Sequence, residues 1–217
     1  SASIVAAGLY NPITGRKMVK TWNADKIFPV IEPFYSDLEQ RINSKFLHKI
    51  GIYRPFISIE EQNEWQGKVA TSEYASYVEQ IFTASRKEYD LHDEHGGLLL
   101  KNAGFVDTKT LINANKKFLM DRGNYQESMF KDHLLEKEDG FYRYEGLEFK
   151  KLIFSNGFNQ LSNTWFDWLP FRPVKGEILR VAVSNNIDTI LNRGLFILPA
   201  GEAHCRIGAT YNWRDLN

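Results

Sequence analysis

"LFILPAGEAHCRIGATYNW", residues 195–213, holds two apolar runs separated by the small, polar turn Ala200-Gly201-Glu202. Runs of β-branched and aromatic residues bounded by turn residues read as strands, and two so close together read as an antiparallel pair. The pattern extends upstream. "FRPVKGEILRVAV" and "DTILNRG" precede it, punctuated by Asn185-Asn186 and Asn192-Arg193-Gly194. From Val174 to Thr210 the chain therefore reads as three or four strands in an antiparallel meander.

Further upstream, helices are mixed with hairpins. "NPITGRK", residues 11–17, is turn chemistry. From Asn23, a fair N-cap, Ile27, Val30, Ile31, Phe34, Tyr35, Leu38 and Ile42 recur at helical spacing. Pro29 and Pro33 predict a first turn, a kink or a break there. Residues 45–57 read as a strand, 59–67 and 73–85 as two short polar helices, and Leu98–Lys101 as a strand. Asp107 or Thr108 caps a helix carrying Leu111, Ile112, Phe118 and Leu119, which Gly123 ends. "YQESMF" reads as a strand and "KDHLLEKEDG" as a charged turn. "FYRYEG" and "LEFKKLIF" form a hairpin cornered at Gly146, and the apolar run Leu152–Phe154 stops at Ser155-Asn156-Gly157. The fold class is α+β, or mixed α/β, with a large antiparallel or mixed sheet.

Composition narrows the function. The 217 residues are 43% hydrophobic and 14% aromatic, enough for a sizeable core. The net charge of +0 argues against a general nucleic-acid binder. A single cysteine, Cys205, excludes a disulfide within the chain and fits a reducing, cytoplasmic compartment. No apolar run reaches the ~18 residues of a membrane span. The first eight residues lack the basic region of a signal peptide, and without an initiator methionine the chain is expected to begin mid-sequence or to be processed.

Motifs for chemistry are few. The fifteen glycines contain no G-x-G spacing, so neither a dinucleotide fingerprint nor a P-loop is present. "LHDEHGG" sets His92 and His95 three apart, but the Gly-Gly that follows favours a solvated loop over a metal site. There is no G-x-S-x-G. Cys205 adjoins His204 in a strand, where neighbours face opposite ways, so it reads as a buried thiol and not half of a dyad. "TWFDWLPF" concentrates Trp165, Phe166, Trp168 and Phe171, as core packing or as an apolar wall or lid over a flat ligand. Arg193, at a strand turn, is either a surface residue or a fork for a substrate carboxylate. Lys17 and Lys20 read either as surface charges or as ligand-facing ones.

Five segments in order, "AAGLYNPITGRKMVKTW", "GFVDTKTLINANKKFLMDRG", "LEFKKLIFSNGF", "PFRPVKGEIL" and "LFILPAGEAHCRIGATYNW", give nearly the whole chain a likeness. It resembles the FAD-dependent oxidoreductases of the D-amino-acid oxidase and glycine oxidase type. The resemblance implies a central, mostly substrate-binding portion of an enzyme that oxidises an amine or amino acid by hydride transfer to flavin. It also implies a division into a flavin-side segment (1–22), a first part of the substrate domain (23–104), a returning part of the FAD domain (105–172) and a second part of the substrate domain (173–217).

On the same grounds Ala6, Ala7, Gly8 and Leu9 run beside the flavin. Ser128 and Phe130 lie on the strand passing the adenine, Ser155-Asn156-Gly157 form the turn near the FAD phosphates or adenosine, and Gly176 lies near the isoalloxazine. Arg193, Thr210 and Tyr211 are the candidates for the substrate pocket. No residue is assigned a catalytic or metal role.

Two family features are missing. One is the N-terminal fingerprint, and the other is the C-terminal Gly-Leu-Arg-Pro-like segment that binds carboxylate. The expectation is therefore an excised middle of a longer enzyme, inactive by itself and with FAD held only in the full-length parent. Strands meant to pair with the absent part would leave an edge able to drive homodimerisation. The competing readings are a stand-alone small-molecule binding module and an oxidoreductase of a modified tRNA base.

Overall fold

The computed structural model describes residues 2–88, 90–157 and 164–214. The first half of the described chain runs α1 (Ala2–Val5), β1 (Leu9–Tyr10), β2 (Ile13–Thr14), β3 (Val19–Lys20), α2 (Ala24–Ile42), β4 (Leu47–Lys49), β5 (Ile52–Pro55), α3 (Ile59–Val69), α4 (Ser72–Ala75), β6 (Val78–Phe82) and β7 (Gly97–Leu100). The second half runs β8 (Gly104–Val106), α5 (Thr108–Met120), β9 (Glu136–Glu138), β10 (Phe141–Tyr144), β11 (Leu147–Phe149), β12 (Ile178–Ala182), β13 (Ile190–Arg193), β14 (Leu195–Pro199) and β15 (His204–Gly208). The class is α+β.

The C-terminal strands form as the turn chemistry dictates. β13, β14 and β15 are a meander, and β12 returns to pair with β15. This group joins β5–β7 through the parallel pair β13–β5, giving a seven-stranded mixed sheet in the order β12-β15-β14-β13-β5-β7-β6. A sheet β1-β8-β4 and a small sheet β11-β10-β9 complete the architecture, with β2-β3 as a hairpin. In the β10–β11 hairpin the loop residues Glu145 and Gly146 both have positive φ, which matches the right-handed twist of the strands.

The core lies against one face of the large sheet. Ile52, Leu98, Leu100, Ile190 and Leu198 are fully buried there, joined by Trp65 of α3 and Phe56. Burying each such side chain stabilises the fold by about 1.5–3 kcal/mol. Register decides what else this face carries: Leu198 lies opposite Arg206, and Arg206 opposite Arg180. Directly opposite residues share a face. The apolar face of the sheet centre thus continues, two strands on, as a charged face at the β12 edge.

Several local readings differ from the structure. α2 is continuous through Pro29 and Pro33. Each proline removes the N–H that the carbonyl four residues back would accept, and positions 25, 29 and 33 share one helix face. That face lines an open groove of about 570 Å³ with Tyr10 and Tyr77, where water can satisfy those carbonyls. Gly51 separates β4 from β5, which enter different sheets. The helix read over 73–85 stops at Ala75, and residues 78–82 instead pair with β7 as its edge strand. Neither "YQESMF" nor Leu152–Phe154 is a strand. Phe130 and Phe154 pack against each other, and Phe130 stacks on Tyr144 at 4.6 Å. Their apolarity serves aromatic packing on the small sheet.

Candidate functional site

Among the described residues a cleft of about 1230 Å³ opens, above the ~300–1,000 Å³ of ordinary small-molecule sites. Its walls come from distant parts of the sequence. α1 and Ala6-Ala7 form one side, and Phe105 with its stacked neighbour His48, 4.3 Å away, forms another. Gly176 to Arg180, Phe196 and Arg206 form the third.

The chain folds this way locally because of two tight approaches. Gly8, at φ +67°, accepts from Val106 N at 3.0 Å, and a Cβ at this position would fall 2.0 Å from Val106 O. Only glycine fits. The next peptide back is then fixed: Ala6 O accepts from Thr108 Oγ1 at 3.1 Å and from Arg206 Nη1 at 3.3 Å. Asp107 caps α5 by accepting from Thr110 N at 3.1 Å and Thr110 Oγ1 at 2.8 Å.

The electrostatics of the cleft centre on Arg206. Burial pulls its pKa down and Arg180 adds to this, while Asp107 opposes it. Burial pushes the Asp107 carboxyl up, but the Thr110 bonds and the Arg206 charge outweigh that and hold it below the usual range.

The candidate residues distribute unevenly. Ala6, Ala7 and Gly176 meet in the cleft. Gly8 and Leu9 lie just behind its wall, in the turn against β8 and in β1. Thr210 is at the rim, where its Oγ1 accepts from Glu177 N at 2.9 Å, and Tyr211 beyond it is 75% exposed. Ser128 is exposed on an irregular stretch, and Phe130 is in the aromatic cluster of the small sheet. Ser155, Asn156 and Gly157 are exposed, with Gly157 at φ +56° and nothing within 4 Å of its Cβ position. Residues 158–163, which follow that turn, lie outside the described residues.

Arg193 faces a smaller hollow of about 410 Å³ with His92, Glu94 and His95. It donates to Glu61 Oε1 at 3.0 Å, beside Arg54, whose pKa burial and then Arg193 pull down to about 10. In "LHDEHGG" the third residue is the anchored one. Asp93 is 2% exposed and accepts from Tyr53 Oη at 2.7 Å, whereas His92 is fully exposed, 3.6 Å from Glu94. Among the described residues, no group of three or more His, Cys, Asp or Glu converges on a metal position. Trp165 packs edge-on to Tyr142 and Phe166 to Phe154, on the small sheet, while Trp168 is 72% exposed. Lys20 pairs with Asp25 at 2.8 Å.

Sequence reasoning did not single out Arg180, Arg206 or Phe196, which line the cleft. Their alternation along β12, β14 and β15 was visible, but the register that unites them was not.

Among the described residues no helix is long and apolar enough to cross a membrane. No protein-family model matches the chain. Among solved structures, the chain is similar to glycine oxidase from Geobacillus kaustophilus, with a TM-score of 0.74 and 17% identity, covering 100% of this chain and 63% of that one. It is also similar to glycine oxidase from Bacillus cereus, with a TM-score of 0.66 and 18% identity, covering 100% and 64%. The whole chain thus shares the fold of these structures and spans just under two thirds of their length.

Proposed function

We propose that the chain is the substrate-binding, flavin-facing portion of an FAD-dependent oxidoreductase acting on an amine or amino acid. The observation that carries this reading is the cleft that joins Ala6 and Ala7 to Gly176, some 170 residues apart in sequence, in a glycine-oxidase-like fold.

The residues present fit the ring portion of such a cofactor. Ala6, Ala7, Gly176, Ala200, Gly201 and Ala209 keep the walls low, so backbone can come close to a flat ring. The phosphates find less here: there is no Gly-rich loop, and the Ser155–Gly157 turn does not line the cleft. The grip on the phosphates is accordingly assigned to segments outside these residues, and the 217 residues alone hold FAD weakly and turn nothing over. FAD, when bound, supplies the hydride acceptor, so no side chain of this chain need act as a strong acid or base. The chain's own task is orientation and exclusion of water. Phe196 and Ile178 give an apolar wall, and Arg206, tied to Ala6 O, fixes the strand edge against the flavin-side segment.

The test is to purify the full-length gene product and add amines without oxygen. Bound flavin that bleaches with an amine or amino acid supports the reading. Flavin that binds but is bleached by no amine contradicts the substrate class.

A further inference from the structure

Arg180 and Arg206 lie directly opposite each other on β12 and β15, on the face of the sheet that lines the cleft. Like charges in that relation destabilise a sheet. Arg206 uses one donor on Ala6 O. Among the described residues, neither Arg180 nor Lys109 across the cleft has an ion-pair partner. Of the two acidic side chains nearby, Asp107 caps α5 and offsets part of the Arg206 charge, and Glu177 pairs with Lys175 at 3.6 Å. Two adjacent guanidinium forks with free donors, facing a cleft, are complementary to a planar or tetrahedral oxyanion.

We propose that Arg180 and Arg206 clamp an oxyanionic arm of the ligand, a carboxylate or a phosphate ester, so that the cleft selects acidic small molecules. This rests on reading the cleft as the substrate site. The anion also relieves the repulsion between the two arginines, which gives the pair a reason to persist at the β12 edge.

The experiment titrates the purified protein with succinate and, separately, with inorganic phosphate at low ionic strength, followed by calorimetry. The expected result is saturable binding of at least one anion, weakened about 10-fold or more in Arg180→Met and in Arg206→Met, and weakened by added salt. Arg180→Lys keeps the charge but lacks the fork, and should recover only part of the affinity. Because Arg180 is exposed, its variants test the clamp even if Arg206→Met misfolds. Tighter succinate binding identifies a carboxylate arm, and tighter phosphate binding a phosphate ester. Absence of binding by either anion, or binding unchanged in both methionine variants, overturns the clamp. The outcome is separable from the flavin reading, since these titrations need no cofactor. A flavoprotein bleached by a neutral amine without anion binding sinks only the clamp, and anion binding by a protein whose complete form takes no flavin sinks only the oxidoreductase.

Discussion

Arg193, at the end of β13, donates from Nη1 to Glu61 Oε1 on α3 at 3.0 Å, while the other oxygen of Glu61 accepts from Ile57 N at 2.9 Å. One carboxylate thus ties the sheet to the start of α3 and offsets two neighbouring cations, since Arg54 also lies beside Arg193. Glu61→Gln leaves both arginines without that charge. Urea unfolding should show a loss of about 2 kcal/mol, below the cost of breaking a fully buried pair because both side chains keep some solvent contact. Arg193→Met should cost less, because it removes a cation from the cluster instead of the anion.

Two buried carboxylates contribute to the acid limit of the fold. For Asp93 and Glu39, burial raises the pKa. Hydroxyl and amide donors outweigh it at Asp93, from Ser85, Tyr53 and Arg86, and at Glu39 the amides of Leu47 and Phe46 do so with Lys45. Both are therefore held below their ordinary values. A depressed carboxylate contributes stability that is fully present above its unfolded pKa, about 3.9 for Asp and 4.3 for Glu, and is lost as pH falls through the folded value. The melting temperature should be flat from neutral pH to about 5 and fall below it. Asp93→Asn should reduce that slope and cost about 2 kcal/mol, as Tyr53 and Ser85 keep weaker acceptors.

At Gly8, both the positive φ and the contact with Val106 O forbid a side chain. Gly8→Ala should destabilise by about 1–3 kcal/mol and move Ala6 and Ala7, so any ligand bound in the cleft should weaken with it. A variant as stable as the parent would contradict the close approach.

Cys205 is 1% exposed, and burial pushes its thiol pKa up. It should react with a thiol reagent only on unfolding, at a rate that rises with denaturant. Fast labelling of the native protein would place β15 elsewhere.

The sequence was most legible where turn chemistry and periodicity agree. The β12–β15 strands followed from Asn-Asn, Asn-Arg-Gly and Ala-Gly-Glu turns, and α5 from the Asp107 cap. It misled where tertiary context decides. Val78–Phe82 reads as helix, yet pairing with β7 makes it a strand. Pro29 and Pro33 pointed to a first turn, a kink or a break, but α2 runs through both, and their gaps share one open groove. The cleft was half legible. Ala6, Ala7 and Gly176, which line it, had been singled out through likeness to a family as flavin neighbours, while Arg180 and Arg206 needed a register that only cross-strand pairing reveals.

The most direct test of the account is the visible spectrum of the full-length gene product, before and after anaerobic addition of amines. The account predicts co-purified flavin that bleaches with an amine or amino acid, and loss of that flavin when Ala7→Trp fills the wall opposite Gly176. A colourless protein that takes up no added FAD would contradict it.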